Sequence, residues 1–351
     1  MWWSAVGLRP PRSNAELRLS ENLTPERMAD AAATLASGGL VAFPTETVYG
    51  LGADAANPNA VAKIFAAKGR PTGHPLIVHL ADASQLDHFA IDIPQAARAL
   101  AAAFWPGPLT LVLRRSDAVA AETVGGKNTV GLRVPDHPVA LALLKSFGQR
   151  GGGGVAAPSA NRFGAVSPTT AAHVLADLGD AVDVVLDGGP SRVGVESTIV
   201  DLAGERPELL RPGGIAVVEI EAVLGHPLHD GRDGPARASG MLVSHYAPTA
   251  AVVLIDRAPP AMALAGPEAV GVAGPPSIMD ALGSAPGHQR RWVLPADATG
   301  FAAQLYATLR AADDAGLDRL LIAPPVEGAL LSAVVDRLEK AAAPRPAADS
   351  S

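Results

Sequence analysis

The chain has 351 residues, 48% of them apolar and 18% charged, a balance that marks a globular protein with large cores rather than a disordered chain, at a length that favours two domains. A net charge of −7 argues against a general nucleic-acid coat, which needs a basic surface. Cysteine is absent, which excludes a disulfide framework, a thiolate nucleophile and Cys-ligated zinc or iron–sulfur sites, and fits a reducing cytoplasm.

The start "MWWSAVGLRPPRS" lacks a basic n-region and a continuous apolar core, so residues 1–20 read as a loose tail. Thr24-Pro25-Glu26 opens a helix, a cap followed by proline at the first helical position, and Gly38-Gly39 stops it after Ser37. "LVAFPT" reads as a buried strand, and "FPTETVYGLGADA" continues it into a loop of hydroxyls and glycines. Asn57-Pro58 begins a second helix with Val61, Ile64 and Phe65 on one face, ending at Lys68-Gly69. There follow the strand "PLIVHL", a helix near Ile93 to Phe104, the strands "LTLVLRR" and "VGLRVP", and a helix from Pro138. The longest uncharged run, Ala99 to Leu113, is broken by Pro106-Gly107-Pro108 and is shorter than the ~20 residues of a membrane span.

After Gly151 to Gly154 come "VAAPSAN", a capped helix "SPTTAAHVLADLG", and the strand-like "VVLDGG", "ESTIVDL" and "LLRPGGI". Helices and strands alternate, which predicts an α/β fold. The polar, glycine-rich "GHPLHDGRDGPARASG" has linker composition. Beyond it a second α/β unit carries the amphipathic helix "GFAAQLYATLRAADDAG" and the closing helix "ALLSAVVDRLEKAAA". The expected division is a first domain over 21–222, a linker over 223–249 and a second domain over 250–345.

No G-x-x-x-x-G-K-[ST] loop occurs, and "GLGADA" lacks the strand and helix context of a dinucleotide site. None of the nine histidines stands at i,i+4 from another with an intervening Glu, so no catalytic metal cage is expected. The informative residues are polar side chains at strand ends. Lys68 and Arg70 flank a helix stop, where they either complement the helix dipole or hold an anion. Arg133 lies inside a short apolar strand and needs a partner anion, a buried salt bridge or a ligand. Ser159 and Asn161 follow a buried strand, Ser167 is placed to cap the next helix, Ser197 and Thr198 interrupt an apolar strand, and Arg211 stands at another strand end.

In their order and spacing, "FPTETVYGLGADA", "KGRP" with "HPLIVH", "FWPGPLTLVL", "GLRVPDHP", "APSAN" with "SPT", "LDGG", "ESTIVD", "LRPGGI" and "SHYAP" resemble the threonylcarbamoyl-AMP synthase family from about Thr24 to Ile215. The chain beyond Tyr246 resembles the extra domain of that family's longer branch. The resemblance implies a YrdC-like twisted open mixed sheet with helices around a concave site, followed by a smaller Rossmann-like domain. It implies synthesis of L-threonylcarbamoyl-adenylate from L-threonine, bicarbonate or carbon dioxide, and ATP, with pyrophosphate released and the product passed to the tRNA threonylcarbamoyl-transfer machinery.

By the same resemblance, Lys68 and Arg70 are the phosphate-binding catalytic pair, and Thr47, His79, Arg133 and Ser197 contact threonine. His74, Thr129, Ser159, Asn161, Ser167, Arg211 and Tyr246 join Lys68 and Arg70 around ATP, and Mg2+ is carried by the ATP phosphates. Two features depart from the pattern: His74 stands where most relatives have Asn, and "PPVEGALL" replaces a glycine-rich turn before the last helix. An RNA-binding or regulatory module of the same fold is the alternative, against which count the net acidity and the lack of interleaved aromatic and basic residues. A carbamoyltransferase of the hydrogenase-maturation kind shares the fold but carries Cys-rich zinc fingers, which this chain lacks.

Overall fold

The computed structural model describes residues 23–232, 240, 245–260, 264, 268–282 and 290–344. The expected tail over 1–20, and residues 233–239 and 241–244 of the expected linker, Ser244 included, lie outside the described residues.

The first unit is a mixed sheet of eleven strands: β1 (Val41–Phe43), β2 (Gly50–Asp54), β3 (Ile77–His79), β4 (Ala90–Ile91), β5 (Leu109–Arg115), β6 (Thr129–Arg133), β7 (Val155–Ala156), β8 (Val184–Val185), β9 (Thr198–Asp201), β10 (Glu208–Arg211) and β11 (His229–Asp230). Ten form the path β11-β10-β9-β5-β6-β3-β7-β2-β1-β8, and β4 pairs with β5. β3 with β6 and β5 with β9 are parallel, while β5 with β6 and β3 with β7 are antiparallel. The parallel pair β3 and β6 brings His79 opposite Arg133, so two candidate site residues share one sheet end because of register.

Helices start where the caps predict. α1 (Pro25–Ala36) is capped by Thr24, whose Oγ1 accepts from the Arg27 amide at 3.2 Å. In α2 (Pro58–Lys68) the Asn57 side chain accepts from Asn59 and Ala60, and Gly69 closes the C-terminus in the left-handed region. α3 (Leu86–Phe89) and α4 (Gln95–Phe104) follow, and His137 caps α5 (Pro138–Gly148) through Nδ1. One expected cap is corrected: α6 (Ala171–Leu178) is capped by Thr170, which accepts from the His173 amide, and Ser167 is turned elsewhere.

The glycine-rich loop read from "GLGADA" is also corrected, because Gly50–Asp54 is the buried strand β2, antiparallel to β1. A Cβ on Gly52 would stand 2.8 Å from both the Phe43 ring and Val155 Cγ1. This glycine makes room for neighbouring core side chains, and the loop proper is confined to residues 44–49. Past Arg211, α7 (Val217–Leu224) runs across the expected domain boundary at 222, and β11 adds to the first sheet through Glu208↔His229.

The second unit holds β12 (Ala251–Leu254), β13 (Val270–Gly274), β14 (Arg290–Val293) and β15 (Arg319–Ile322), all parallel in the order β12-β15-β13-β14. α8 (Pro276–Leu282), unanticipated from sequence, precedes α9 (Ala298–Asp314) and α10 (Leu331–Ala342). The apolar faces of α9 and α10 share one buried cluster with Val48, Val166 and Val195 of the first unit. An ion pair of 2.7 Å between Arg310 and Asp177 crosses the same contact.

Gly52→Ala is expected to destabilise the fold by about 1–3 kcal/mol, as overpacking of a filled core does, and Gly52→Ala with Phe43→Leu should cost less than the two single changes added together. Urea unfolding of the three variants measures it.

Candidate active site

One cavity, open to solvent, is lined by residues from strand ends and loops of the first unit together with Gly240, His245 and Tyr246. Thr47, Arg70, His79, Arg133, Ser159, Ser197, Arg211 and Tyr246, all expected at the site, line it. Lys68 and Asn161 are buried just behind. Thr129, half-buried, stands at the far end of β6 from Arg133 and is not among the lining residues. His74 is half-buried and packs edge-on against Phe163 at 5.6 Å.

The cations are held by different means. Lys68 Nζ donates to the carbonyls of Ser159 (2.6 Å) and Asn161, which the chain leaving β7 turns toward it. Arg70 Nη2 donates to the Pro75 carbonyl at 3.2 Å, and its guanidinium lies 5.8 Å from the centre of the Phe163 ring. Burial pushes Arg70 down to about 10, and burial with Arg70 beside it pushes Lys68 well below its ordinary value. Arg211 donates through Nε and Nη2 to the Ser197 carbonyl at 3.1 and 2.9 Å and to Ser197 Oγ at 3.1 Å; Ser197 Oγ is 2.8 Å from Thr110 Oγ1.

Arg133 has an anion inside the protein. Its Nη2 lies 2.7 Å from Oε1 of Glu46, with both side chains buried, and also donates to Thr47 Oγ1 at 3.0 Å. Of the two readings left open for Arg133, the buried salt bridge is present in the fold. Glu46, in the middle of "PTETVYG", was not singled out in the sequence because a carboxylate among hydroxyls reads as solvated. The same loop is braced by Thr45, whose Oγ1 donates to the Val48 carbonyl at 2.6 Å and lies 2.8 Å from Thr47 Oγ1.

Ser167, instead of capping a helix, donates to Glu196 Oε1 at 2.7 Å. Asn161 donates to the carbonyls of Arg162 and Ala165, each at 2.8 Å, and its buried Oδ1 has no hydrogen-bond partner among the described residues. His79 and His245 are each pushed down to about 3, burial being the largest cause and neighbouring arginines adding to it, so both imidazoles are neutral near pH 7. Tyr246 is buried with φ of 61° and stacks on Tyr306 at 5.7 Å and 26°. Hydroxyls, neutral imidazoles and several buried cations make a pocket suited to a small polar molecule next to an anion. Among the described residues no group of three or more His, Asp or Glu is arranged to hold a metal. No helix of the described residues is long and apolar enough to cross a membrane.

Residues 33–213 match the Sua5/YciO/YrdC family model, described as "Telomere recombination", and residues 215–343 match the model described as "Threonylcarbamoyl-AMP synthase, C-terminal domain". The threonylcarbamoyl-AMP synthase of Pyrococcus abyssi is 47% identical over 245 residues, 68% of this chain and 71% of that protein. That of Bacillus subtilis is 48% identical over 240 residues, 66% of this chain and 68% of that protein. The crystal structure of Pyrococcus abyssi Sua5 complexed with L-threonine superposes with a TM-score of 0.82 at 40% identity, covering 92% of this chain and 96% of that one.

Because His79 and His245 are neutral in the fold and titrate near 6.5 when unfolded, the unfolded chain takes up more protons below that pH. Stability is fully present above pH 6.5 and falls by up to about 1.4 kcal/mol per pH unit for each histidine as pH drops toward 3. Urea midpoints at pH 7.5 and 5 should separate less in His79→Asn than in the wild type.

Proposed function

The chain belongs to the threonylcarbamoyl-AMP synthase family, and from that we propose that its cleft joins L-threonine, bicarbonate or carbon dioxide, and ATP into threonylcarbamoyl-AMP and pyrophosphate, the adenylate that supplies tRNA N6-threonylcarbamoylation. It is a nucleotidyltransferase. The observation that carries the reading is the convergence of Arg70, Arg133 and Arg211, all buried, on one hydroxyl-lined cavity, with Lys68 buried behind the Ser159 segment of its wall.

The threonine amine attacks carbon dioxide to form a carbamate and release a proton. A carbamate oxygen then attacks the α-phosphorus of ATP, and the bond to the bridging oxygen of the β-phosphate breaks with loss of pyrophosphate. Neither step needs a protein nucleophile. Holding three reactants together and neutralising charge on the phosphoryl oxygens carries the rate. Lys68 as a point charge, with Arg70 and Arg211 as planar forks, suits those oxygens. Magnesium would arrive on the triphosphate's own oxygens, since Glu46 and Glu196, the carboxylates at the cleft, are each engaged by an arginine.

For threonine, Arg133 beside Thr47 offers a cation and a hydroxyl 3.0 Å apart, which fits a carboxylate and a side-chain hydroxyl respectively, with His79 and Ser197 completing the wall. For the nucleotide, Asn161 Oδ1 is a buried acceptor awaiting a donor, which suits an exocyclic amine or a ribose hydroxyl. Ser159 and Tyr246 on the cavity wall and the buried Ser167 behind it complete the nucleotide side of this reading. The RNA-binding alternative is not favoured, since the relatives above carry the synthase name over most of their length.

Pyrophosphate release from ATP is expected to require threonine and bicarbonate together; equal release without bicarbonate would indicate an ordinary aminoacyl-adenylate enzyme. Arg133→Ala should weaken threonine binding by about 2–5 kcal/mol, as loss of a buried charged partner does, and weaken ATP binding much less. Glu46→Gln in the same calorimetric series shows how much of that loss comes from leaving a carboxylate buried alone. Valine should be activated as much as ~10⁴-fold less well than threonine and serine only ~10–200-fold less well, because a site that pairs a hydroxyl rejects its absence far more strongly than a missing methyl. Valine activation near the threonine rate removes the hydroxyl-pairing role from Thr47 and its neighbours.

A further inference from the structure

We propose that Arg337, on the last helix of the second domain, is a positioning residue of the cleft: it fixes the Glu196 carboxylate, and through it the Ser167 hydroxyl, while its guanidinium backs the ring of Tyr246. The proposal rests on the adenylate-forming reading above. Arg337 does not line the cavity and touches no substrate there; Glu196 and Tyr246 do line it.

The side chain of Arg337 is fully buried. Its Nε donates to Glu196 Oε2 at 2.7 Å, its Nη2 to the Pro212 carbonyl at 3.0 Å, and its Nη1 to Asp336. Its Cζ stands 5.0 Å from the centre of the Tyr246 ring. Glu196 is filled from three sides: Oε1 accepts from Ser167 Oγ at 2.7 Å, and Tyr306 OH lies 3.0 and 2.8 Å from the two oxygens. An ionised carboxylate only accepts, so the Ser167 proton is committed to Glu196. Ser167 is itself fully buried behind the cavity wall, and its oxygen keeps lone pairs that a ligand donor such as a ribose hydroxyl or an amine would fill if it reached that depth.

The backbone closes in at the same place. Gly194, with φ of 77°, is so close to α9 that a Cβ there would lie 2.3 Å from the Ala302 carbonyl oxygen. The segment carrying Glu196 is thus pressed against the second domain by main chain as well as by charge.

The groups facing Glu196 are Arg211 from β10, His245 and Tyr246 from the chain entering the second domain, Tyr306 from α9, and Arg337 with its neighbour Asp336 from α10. Asp336 is itself shared with Lys340, whose Nζ lies 2.8 and 2.9 Å from its two oxygens. Burial alone would raise the Glu196 carboxyl, but Arg337 first and Arg211 second bring it down to about 2. Without Arg337 the main opponent of burial is gone, and the carboxyl takes up a proton as pH falls through a range where the wild type is fully ionised.

The test uses the full chain. ATP dissociation constants by calorimetry and kcat/KM for pyrophosphate release are measured from about pH 5.5 to 8.5, one pKa unit being tenfold in affinity, for wild type, Arg337→Met, Arg337→Lys, Glu196→Gln, Glu196→Gln with Arg337→Met, and Arg310→Met. Dividing each variant by wild type removes the titration of ATP itself. The deficit of Arg337→Met should grow about tenfold or more toward low pH, Arg337→Lys should recover most of it, and the double variant should lose the pH dependence. Arg310→Met, which breaks another ion pair between the domains together with the hydrogen bonds of Arg310 to the Val166 and Ser167 carbonyls but leaves Glu196 and its side-chain partners in place, should show no pH-dependent deficit.

A pH-independent deficit in Arg337→Met, or the same pH-dependent deficit in Arg310→Met, overturns the proposal. If Arg337→Met does not fold, Glu196→Gln decides, with ATP affinity at pH 8 expected about tenfold weaker and an unchanged value overturning the role. If wild type makes no adenylate from threonine, bicarbonate and ATP, the functional reading falls, and the ATP titrations still decide Arg337.

Discussion

Everything at the cleft follows from burying four cations around one cavity. A buried cation without compensation is costly, and here each draws on a different part of the fold: carbonyls beyond β7 for Lys68, the Pro75 carbonyl and the Phe163 face for Arg70, Glu46 for Arg133, and the Ser197 carbonyl and hydroxyl for Arg211. Carbonyl dipoles meet Lys68, Arg70 and Arg211, and a carboxylate meets Arg133. Burial first and the charge of Arg70 second push Lys68 well below its ordinary value. An anion bound beside these cations would offset that cost, so ligand binding and local stability would rise together.

That requirement explains why the sheet is irregular at this end. β7 is two residues long and sits between β3 and β2, so the chain leaves the ladder early and spends its carbonyls on Lys68. β10 shifts register between Leu209 and Arg211, at the point where Arg211 turns to Ser197. The second domain packs α9 and α10 behind this end of the first, in one buried cluster with Val48, Val166 and Val195.

Much of this was legible in the sequence where local chemistry decides alone. Thr24 and Asn57 cap the helices their positions announce, and "LTLVLRR" is β5 residue for residue. Two-residue strands such as β4 and β11 carry no period to read. Arginines in apolar strands, Arg133 and Arg211, stood out because such a residue needs a reason. Glu46 did not, since its partner is 87 residues away in sequence. Arg337 and Tyr306 lie on amphipathic helices, where periodicity shows a buried face but not what lies opposite. Ser167 was misread because "SPTT" offers three hydroxyls and only the backbone selects Thr170 as the cap. Family resemblance placed eight residues of the cavity wall, while Lys68, His74, Thr129, Asn161 and Ser167, which it set at the nucleotide, are not among the lining residues.

Tyr246 is one of two non-glycine residues with positive φ among those described. An L-residue in the left-handed region costs roughly 1–2 kcal/mol. The ring is gripped from beyond, by Tyr306 on one side and Arg337 on the other. A backbone bend in the linker is thus tied to side chains of the second domain, and parting the two units would remove both grips at once.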